Sequence, residues 1–381
     1  MSWIKTFLLA FILFLLTLKT IDIAWGFISP SERVNGSVRS ISLREIPPNT
    51  ESYTTPTTYY LSRTENLEKK NYKYRTDSNG FILGKANSEK DSAKVDIIFF
   101  GGSTTQCILV DEDIRFPAHI SDLITRKDGA PIVALNAGMG ASNSMHSLIS
   151  LIGKGLPKRP KYAFLMHAIN DLTLLELVPS YWDAPTDRAL VVSGQREDFG
   201  FKYFSFNFIK QVLIPNTWPE YKYIISNIAS KYNVNLDHKK YKLSSRNYIE
   251  IRRSVHDQFK KSLISFVEIS RAWGIEPVLM TQFNRIHMGD KFIQEVYEKD
   301  SQTGINWDDF VSLYAVMNEI TREVAREKKV TLIDLDKEIP SNSKYIYDAV
   351  HLNGEGSKLV GKVIARRLSE RYQKDFSLSA Q

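Results

Sequence analysis

Five short apolar runs along the chain predict buried strands. They lie at residues 95–100 (VDIIFF), 132–135, 162–167 (YAFLMH), 276–282 (EPVLMTQ) and 330–335 (VTLIDL). Continuous apolar runs of this length are typical of strands that are covered on both faces of a parallel sheet. Helical patterns alternate with them, at residues 116–125, 145–153, 249–273, 307–328 and 354–372. The alternation predicts an α/β domain over residues 93–375, with a mostly parallel five-stranded sheet.

The first 28 residues carry a pattern that directs a chain to a membrane. Residues 6–18 form an uncharged, mostly apolar run that fits a signal-peptide core and is shorter than the roughly 20 residues needed to span a bilayer. The segment becomes long enough if Lys19 and Asp22, which share a helix face, partly neutralise each other. We therefore expect an uncleaved anchor through residues 6–28 and a catalytic domain outside the cytoplasm. A cleaved signal and a buried soluble helix are the alternatives.

Two further segments interrupt the α/β pattern. Residues 29–92 are polar and rich in proline, serine and threonine, which predicts a juxtamembrane extension that is either a spacer or packed on the main domain. Residues 180–245 are rich in aromatic side chains with interleaved lysines, which predicts an insertion. Its aromatic residues suit either core packing or a surface that contacts a glycan or a membrane.

Composition and charge narrow the function classes. The 381 residues carry a net charge of +7 without a basic run, which argues against a nucleic-acid partner. The single cysteine, Cys107, excludes an internal disulfide framework and a cysteine-based zinc site. Five histidines lack partners at metal-ligand spacing, so no metal is predicted; they are His119, His146, His238, His256 and His287.

Polar residues with catalytic potential follow the predicted strands. Ser103 follows the first strand after two glycines, and Asn170 follows the third strand. Asp348 and His351 precede the last helix at a spacing that places both side chains on one side of a turn. Open α/β sheets bind ligands at the carboxyl ends of their strands, so these groups are expected to meet there.

Together these residue types satisfy the needs of acyl transfer. A serine hydroxyl is a weak nucleophile and needs an adjacent base, whose tautomer a carboxylate fixes. We predict Ser103 as nucleophile, His351 as general base and acid, and Asp348 as the orienting carboxylate. The Ser103 backbone N–H and the Asn170 side chain are predicted oxyanion donors. Asp334 and Asp336 are the rival carboxylates, and Cys107 is expected to be a buried, inert thiol.

The ordered motifs resemble the SGNH/GDSL hydrolase superfamily over roughly residues 93–180 and 246–372. The resemblance depends on Gly-Gly-Ser103, Asn136-Ala-Gly-Met-Gly140, Asn170-Asp171 and Asp348-x-x-His351. It implies a flavodoxin-like three-layer α/β/α sandwich and ester or acyl chemistry without a metal or other cofactor. Gly-Gly-Ser replaces the usual Gly-Asp-Ser, a variant similar to a branch often tied to cell-envelope polysaccharides. Ala168 replaces the first glycine of Gly-x-Asn-Asp.

The resemblance also implies a third oxyanion donor in the loop after the second strand. Gly140 is the predicted donor, with Gly138 and Ala141 left open. His167 and Arg285 are candidate substrate contacts, because each lies at or after the end of a strand on the same edge of the sheet.

We therefore predict a serine esterase that removes O-acyl groups, most simply acetyl, from a small molecule or an envelope or exported glycan. One alternative is an O-acyltransferase, in which a sugar hydroxyl intercepts the acyl-enzyme. The other is a non-catalytic glycan-binding or assembly protein on the same fold.

Overall fold

The computed structural model of the chain describes residues 38–41, 43–84, 94–184, 188–194, 246–301 and 303–379, with some residues between 3 and 17. Two compact units are present, one comprising residues 1–40 and 191–213 and the other residues 41–190 and 214–381. In the smaller unit the described residues between 3 and 17 are helical. Within the described ranges, no helix is both apolar enough and long enough to cross a bilayer.

The strands of the described residues are short. They are β1 (Val38–Ile41), β2 (Glu51–Thr54), β3 (Tyr72–Arg75), β4 (Ile97–Gly101), β5 (Ile124–Arg126), β6 (Ala134–Asn136), β7 (Tyr162–Met166), β8 (Val191–Gly194), β9 (Glu276–Met280), β10 (Thr331–Ile333) and β11 (Phe376–Leu378). β1 pairs with β8, β2 with β3, and β5 with β11, each as a two-stranded sheet.

The α-helices alternate with the strands of the larger unit. They are α1 (Thr58–Leu61), α2 (Ser103–Gln106), α3 (Phe116–Leu123), α4 (Ser144–Ser150), α5 (Ile169–Leu175), α6 (Tyr248–Ser254), α7 (Lys260–Ala272), α8 (Lys291–Asp300), α9 (Trp307–Lys328), α10 (Leu335–Glu338) and α11 (Gly354–Arg371). A π-helical stretch, Val255–Phe259, joins α6 to α7 in one continuous helical run. That run ends before Gly274, whose φ of 70° is the left-handed conformation that glycine adopts readily after a helix.

The main sheet is five-stranded and parallel, in the order β10-β9-β7-β4-β6. Numbered by appearance within this sheet and taken from the β6 edge, the order is 2-1-3-4-5, the flavodoxin-like arrangement. The order reverses between β4 and β7, and ligand crevices of such sheets lie at that switch point. The predicted fold class is therefore confirmed for the sheet and its helices.

Helices cover both faces of the sheet. On one face Phe99 of β4 contacts Phe116 of α3, with ring centroids 5.6 Å apart, and α11 packs beside α3. On the other face Phe100 contacts Phe266 of α7, also at 5.6 Å, and α4 and α9 pack against α7. Successive residues of a strand point to opposite faces, so the apolar run of β4 builds both halves of the core.

The segment before the sheet packs on the α/β domain. Phe81 is fully buried, and the Ile82 N–H donates to the Asn136 carbonyl at 2.8 Å, at the end of β6. Residues 43–84 thus lie in the larger unit with the sheet. Of the predicted insertion, residues 195–245 lie outside the described residues.

Candidate active site

Ser103 is placed by a sharp turn at the end of β4. The strand ends at Gly101, and Ser103 is the first residue of α2. A Cβ at Gly101 would lie 2.1 Å from Thr105 Oγ1 and 2.8 Å from the Met166 carbonyl oxygen, so only glycine fits. The hydroxyl is therefore held at the carboxyl edge of the sheet, beside the switch point.

Ser103, His351 and Asp348 form a continuous hydrogen-bonded chain. Ser103 Oγ lies 2.7 Å from His351 Nε2, and His351 Nδ1 lies 2.7 Å from Asp348 Oδ2. The other carboxylate oxygen accepts the backbone N–H groups of Val350 at 2.9 Å and His351 at 2.8 Å. The His351 side chain is 24% exposed and that of Asp348 19%, so the chain faces a partly open surface.

Opposing influences set the ionisation of the pair. Burial alone would lower the pKa of His351, but the Asp348 charge and hydrogen bond outweigh burial and raise this pKa above 6.5. Burial alone would raise the pKa of Asp348, but the His351 charge and hydrogen bonds outweigh it, so the net shift is downward. The carboxylate is therefore ionised at neutral pH, which favours the tautomer with its proton on Nδ1 and leaves Nε2 free to accept the Ser103 proton.

Asn170 reaches the same turn from the neighbouring strand. It lies in the first turn of α5, which follows β7. Its Nδ2 donates to the Ser142 carbonyl at 2.8 Å, which leaves the second N–H of the amide available. A Cβ at Gly102 would lie 2.4 Å from this Nδ2, so the amide lies directly against the residue that precedes Ser103.

The loop after β6 offers the third predicted donor. The Gly138 N–H donates to Asn136 Oδ1 at 2.9 Å, and the Met139 N–H donates to the Gly101 carbonyl at 3.1 Å. Among the described residues, no acceptor takes the N–H of Gly140 or Ala141. Ala141 has φ 57°, a conformation uncommon for alanine. Gly138 is thereby occupied, while Gly140 stays the predicted donor with Ala141 as its alternative.

Gln282 hydrogen-bonds to the residues beside Ser103 and Asn170, a role that the sequence analysis did not predict. Its Nε2 donates to Thr104 Oγ1 at 2.8 Å, next to Ser103. Its Oε1 accepts the Ile169 N–H at 2.9 Å, next to Asn170, and the Tyr314 hydroxyl at 2.8 Å. The side chain is 2% exposed, so one buried amide fixes both turns relative to each other.

His167 is enclosed within the fold. It is 2% exposed, with Nε2 2.7 Å from Ser147 Oγ and Nδ1 3.4 Å from Asp171 Oδ2. Burial lowers the pKa of His167 to about 3, so the ring stays neutral. The ring thus has protein partners at both nitrogens, which a substrate contact would have to displace.

Arg285 is also buried, at 4% exposure, and its partners are protein groups. Nε donates to Asp290 at 2.7 Å and Nη2 to Glu65 at 2.5 Å. Its backbone N–H donates to the Ala349 carbonyl at 2.8 Å. The guanidinium braces the loop that carries Asp348 and is not directed at an open crevice.

The other residues considered in the sequence analysis, Asp171, Asp334, Asp336 and Cys107, have partners or burial that suit a structural role. Asp171 accepts the Ser144 N–H at 3.0 Å and braces the start of α4. Asp334 and Asp336 both accept hydrogen bonds from Arg322, at 2.8 and 2.6 Å, and lie outside the hydrogen-bonded chain of His351. Burial raises the pKa of the Cys107 thiol to about 12, which keeps it protonated. In the described part of the chain, no cluster of histidine, cysteine and carboxylate side chains is arranged to hold a metal ion.

Comparisons with known proteins give matches among solved structures. No family model matches the chain, and no curated protein matches it. A lipase/acylhydrolase from Enterococcus faecalis is 14% identical and covers 75% of this chain and 98% of its own, with a TM-score of 0.39. A GDSL-like lipase from Bacteroides thetaiotaomicron is 12% identical over 73% of this chain and 89% of its own, with a TM-score of 0.37. An acetylxylan esterase from Geobacillus stearothermophilus is 12% identical over 72% and 96%, also at 0.37.

Proposed function

We propose that this protein is a serine esterase of the SGNH type that hydrolyses O-acyl esters. One observation carries the proposal: Ser103 Oγ lies 2.7 Å from His351 Nε2 although the two residues are 248 positions apart. An unactivated surface serine has no need of such a partner, whereas a nucleophilic serine requires one.

In the first half-reaction the Ser103 oxygen attacks the ester carbonyl carbon as its proton passes to His351 Nε2. The Asp348 carboxylate stabilises the imidazolium that forms. In this proposal the Ser103 N–H, the Asn170 amide and the Gly140 N–H donate to the oxyanion, each donor contributing about 2.7–4 kcal/mol. Collapse breaks the bond to the leaving alkoxide, which takes the proton from His351 Nε2. The products are an alcohol and the acyl-enzyme.

In the second half-reaction water replaces the alcohol. His351 Nε2 accepts a water proton as the water oxygen attacks the acyl carbon, and it returns the proton to Ser103 Oγ when that bond breaks. The carboxylic acid leaves and the serine is restored. If a sugar hydroxyl attacks instead of water, the same groups perform O-acyl transfer.

The substrate and location proposed here depend on the sequence. The Gly-Gly-Ser motif resembles a branch tied to cell-envelope polysaccharides, which favours an O-acetylated glycan outside the cytoplasm. The mostly apolar segment 6–28, which includes Lys19 and Asp22, favours an anchor that holds the enzyme at a membrane.

Turnover of p-nitrophenyl acetate by the full chain tests the esterase proposal. Ser103→Ala is expected to lower kcat by about 10⁴- to 10⁶-fold. Ser265→Ala is the matched control, because among the described residues the Ser265 hydroxyl bonds only to the Lys261 carbonyl of its own helix. A fluorophosphonate should label the wild type and the control but not Ser103→Ala. Turnover in Ser103→Ala equal to that of the wild type would disprove the assignment of Ser103 as the nucleophile.

Acetate release from O-acetylated oligosaccharides tests whether the substrate is an O-acetylated glycan. Mass analysis with an acyl donor and an unacylated acceptor separates hydrolysis from transfer: free acetate supports the esterase and acetylated acceptor supports the transferase. Protease accessibility of the domain, before and after the membrane that carries it is permeabilised, tests the location, since an extracytoplasmic domain is cleaved before that membrane is opened.

A further inference from the structure

A segment that precedes the sheet lies against the residues proposed for catalysis. Residues 57–75, here called the strap, run through α1 to β3. Two loops flank it: the nucleophile loop, residues 107–115, which follows α2, and the acid–base loop, residues 342–351, which carries Asp348 and His351. The strap makes hydrogen bonds or ion pairs with both.

Contacts between the strap and the acid–base loop are close and directed. The Glu65 N–H donates to the Tyr347 carbonyl at 2.7 Å, and Asn66 Nδ2 donates to the Ser343 carbonyl at 3.1 Å. The Tyr60 hydroxyl lies 3.4 Å from Asp348 Oδ2 and 3.3 Å from the Tyr347 hydroxyl. The strap therefore reaches the carboxylate that orients His351.

An ion pair between Glu65 and Arg285 connects the strap to the acid–base loop, because Arg285 also bonds to that loop. Glu65 Oε2 lies 2.5 Å from Arg285 Nη2, and the Arg285 side chain is only 5% exposed. Arg285 also donates to the Ile346 carbonyl at 3.3 Å and, through its backbone, to that of Ala349 at 2.8 Å. A buried guanidinium with these partners holds the loop on both sides of Tyr347.

Apolar packing closes the space between the two loops. Tyr347 stacks on the His351 ring, with centroids 5.7 Å apart and planes 13° apart. It also forms a small cluster with the buried Tyr72 and Leu109, against which the partly buried Tyr60, Leu67 and Ile108 pack. The strap thus fills the gap between the loop after Ser103 and the loop that carries His351.

Polar contacts fix the strap to the nucleophile loop as well. Arg75 Nε donates to Glu112 at 2.9 Å and Lys70 Nζ to Asp111 at 2.9 Å. The buried Arg115 donates to the Lys73 carbonyl at 2.5 Å. One continuous segment is therefore bonded to both loops that the triad needs.

We propose that the strap is a positioning element for the acid–base pair, in which Tyr60 orients the Asp348 carboxylate and Glu65, through Arg285, fixes the acid–base loop. This inference rests on the proposed function and deepens it, because it assigns residues outside the α/β domain to the same site. A misplacement of about 1 Å in such a site costs on the order of 10²-fold in rate.

The groups that face Asp348 and His351 determine whether loss of the Tyr60 hydroxyl raises or lowers the pKa of His351. In the described ranges, the ionisable or hydroxyl groups against Asp348 and His351 are Ser103, Tyr60 and Tyr347, with Cys107 acting on Tyr347. Burial and the Asp348 charge raise the pKa of Tyr60, so it remains a protonated donor. Its loss makes the carboxylate a stronger partner for the imidazolium, so the pKa of His351 should rise.

Paired full-length variants test the strap. Tyr60→Phe is compared with Tyr59→Phe, which removes the same atom from an exposed neighbour. Glu65→Gln is compared with Glu68→Gln, whose carboxylate is exposed. The His351 titration is followed by NMR of histidine-labelled protein in a Ser103→Ala background. The pH dependence of kcat and KM is measured with Ser103 intact.

We expect Tyr60→Phe to raise the His351 titration midpoint by about 0.3–1 unit, and Tyr59→Phe to leave it unchanged. Glu65→Gln should lower kcat by about tenfold with KM within about twofold. An unchanged midpoint in Tyr60→Phe together with an unchanged kcat in Glu65→Gln overturns the inference. If the wild type shows neither turnover nor fluorophosphonate labelling, the proposed function is wrong. The NMR titration still tests whether the strap positions the acid–base pair.

Discussion

The Asn170 amide occupies the space that a side chain at Gly102 would need. A Cβ there would lie 2.4 Å from Asn170 Nδ2 and 3.2 Å from the Ser142 carbonyl oxygen. The backbone of Gly102, at φ −86° and ψ −153°, suits any residue, so the constraint is steric and not conformational. Glycine at this position therefore allows the amide to lie beside Ser103.

Gly102→Ala should displace the amide and remove one oxyanion donor. We expect kcat to fall by about 10²-fold with little change in KM, because the lost interaction is made mainly in the transition state. Steady-state kinetics on p-nitrophenyl acetate measure the change. Gly304→Ala is the control, since among the described residues no atom lies within 4 Å of a Cβ there. Wild-type kinetics in Gly102→Ala would contradict the role given to Asn170.

The pH dependence of the reaction should follow His351. Since the Asp348 charge raises the pKa of His351 above 6.5, kcat/KM should increase with pH through a midpoint above that value. In Asp348→Asn the charge is lost and burial remains, so the midpoint should move to lower pH and kcat should fall by about 10³- to 10⁴-fold. The exposed Asp308→Asn is the control. If the midpoint of the pH dependence of kcat/KM does not move in Asp348→Asn, the pairing of Asp348 with His351 would be contradicted.

Gln282→Leu should destabilise the protein as well as slow it. It leaves the Thr104 hydroxyl, the Ile169 N–H and the Tyr314 hydroxyl without their buried partner. We expect the free energy of unfolding to fall by at least about 2 kcal/mol, because unmade buried hydrogen bonds are costly. Urea unfolding measures the loss. Gln294→Leu is the control, because within the described part of the chain its side chain bonds only to Glu298 on its own helix. Equal unfolding midpoints for the two variants would show that Gln282 is dispensable.

Glu176 should make the protein less stable as the pH rises. This carboxyl is 4% exposed, and burial raises its pKa from 4.5 to about 8. Between these values the folded chain retains a proton that the unfolded chain releases, so stability falls with increasing pH.

Glu176→Gln removes this ionisation, so its Tm should match that of the wild type near pH 5. By pH 9 it should exceed the wild type by several degrees. The exposed Glu295→Gln should follow the wild type throughout. A pH-independent difference between Glu176→Gln and the wild type would contradict the buried ionisation.

The hydrogen-bonded chain of Ser103, His351 and Asp348 was predictable from sequence because its determinants are local. A glycine pair after β4 and the i, i+3 spacing of Asp348 and His351 each specify a short piece of backbone. The parallel sheet then brings the ends of those pieces together, since the carboxyl ends of parallel strands share one edge. The Ser103 to His351 contact follows from that geometry.

His167, Arg285 and Gln282 could not be assigned in the same way. All three lie at or after strand ends, but their surroundings depend on residues far away in the chain, such as Glu65 for Arg285. Composition did not distinguish a spacer from a segment packed on the main domain, so the contribution of Tyr60 and Tyr72 to the cluster beside Tyr347 was not predicted. Tyr347 was within reach of sequence analysis, as the residue before Asp348.

The strap also has a consequence for biosynthesis. Tyr60 and Tyr347 are separated by 287 positions, so the ribosome delivers one almost three hundred residues before the other. During that interval the strap lacks Tyr347, against which Tyr60 packs in the folded protein. The candidate site must therefore assemble late, when the loop that carries Tyr347 docks against the much earlier segment that carries Tyr60.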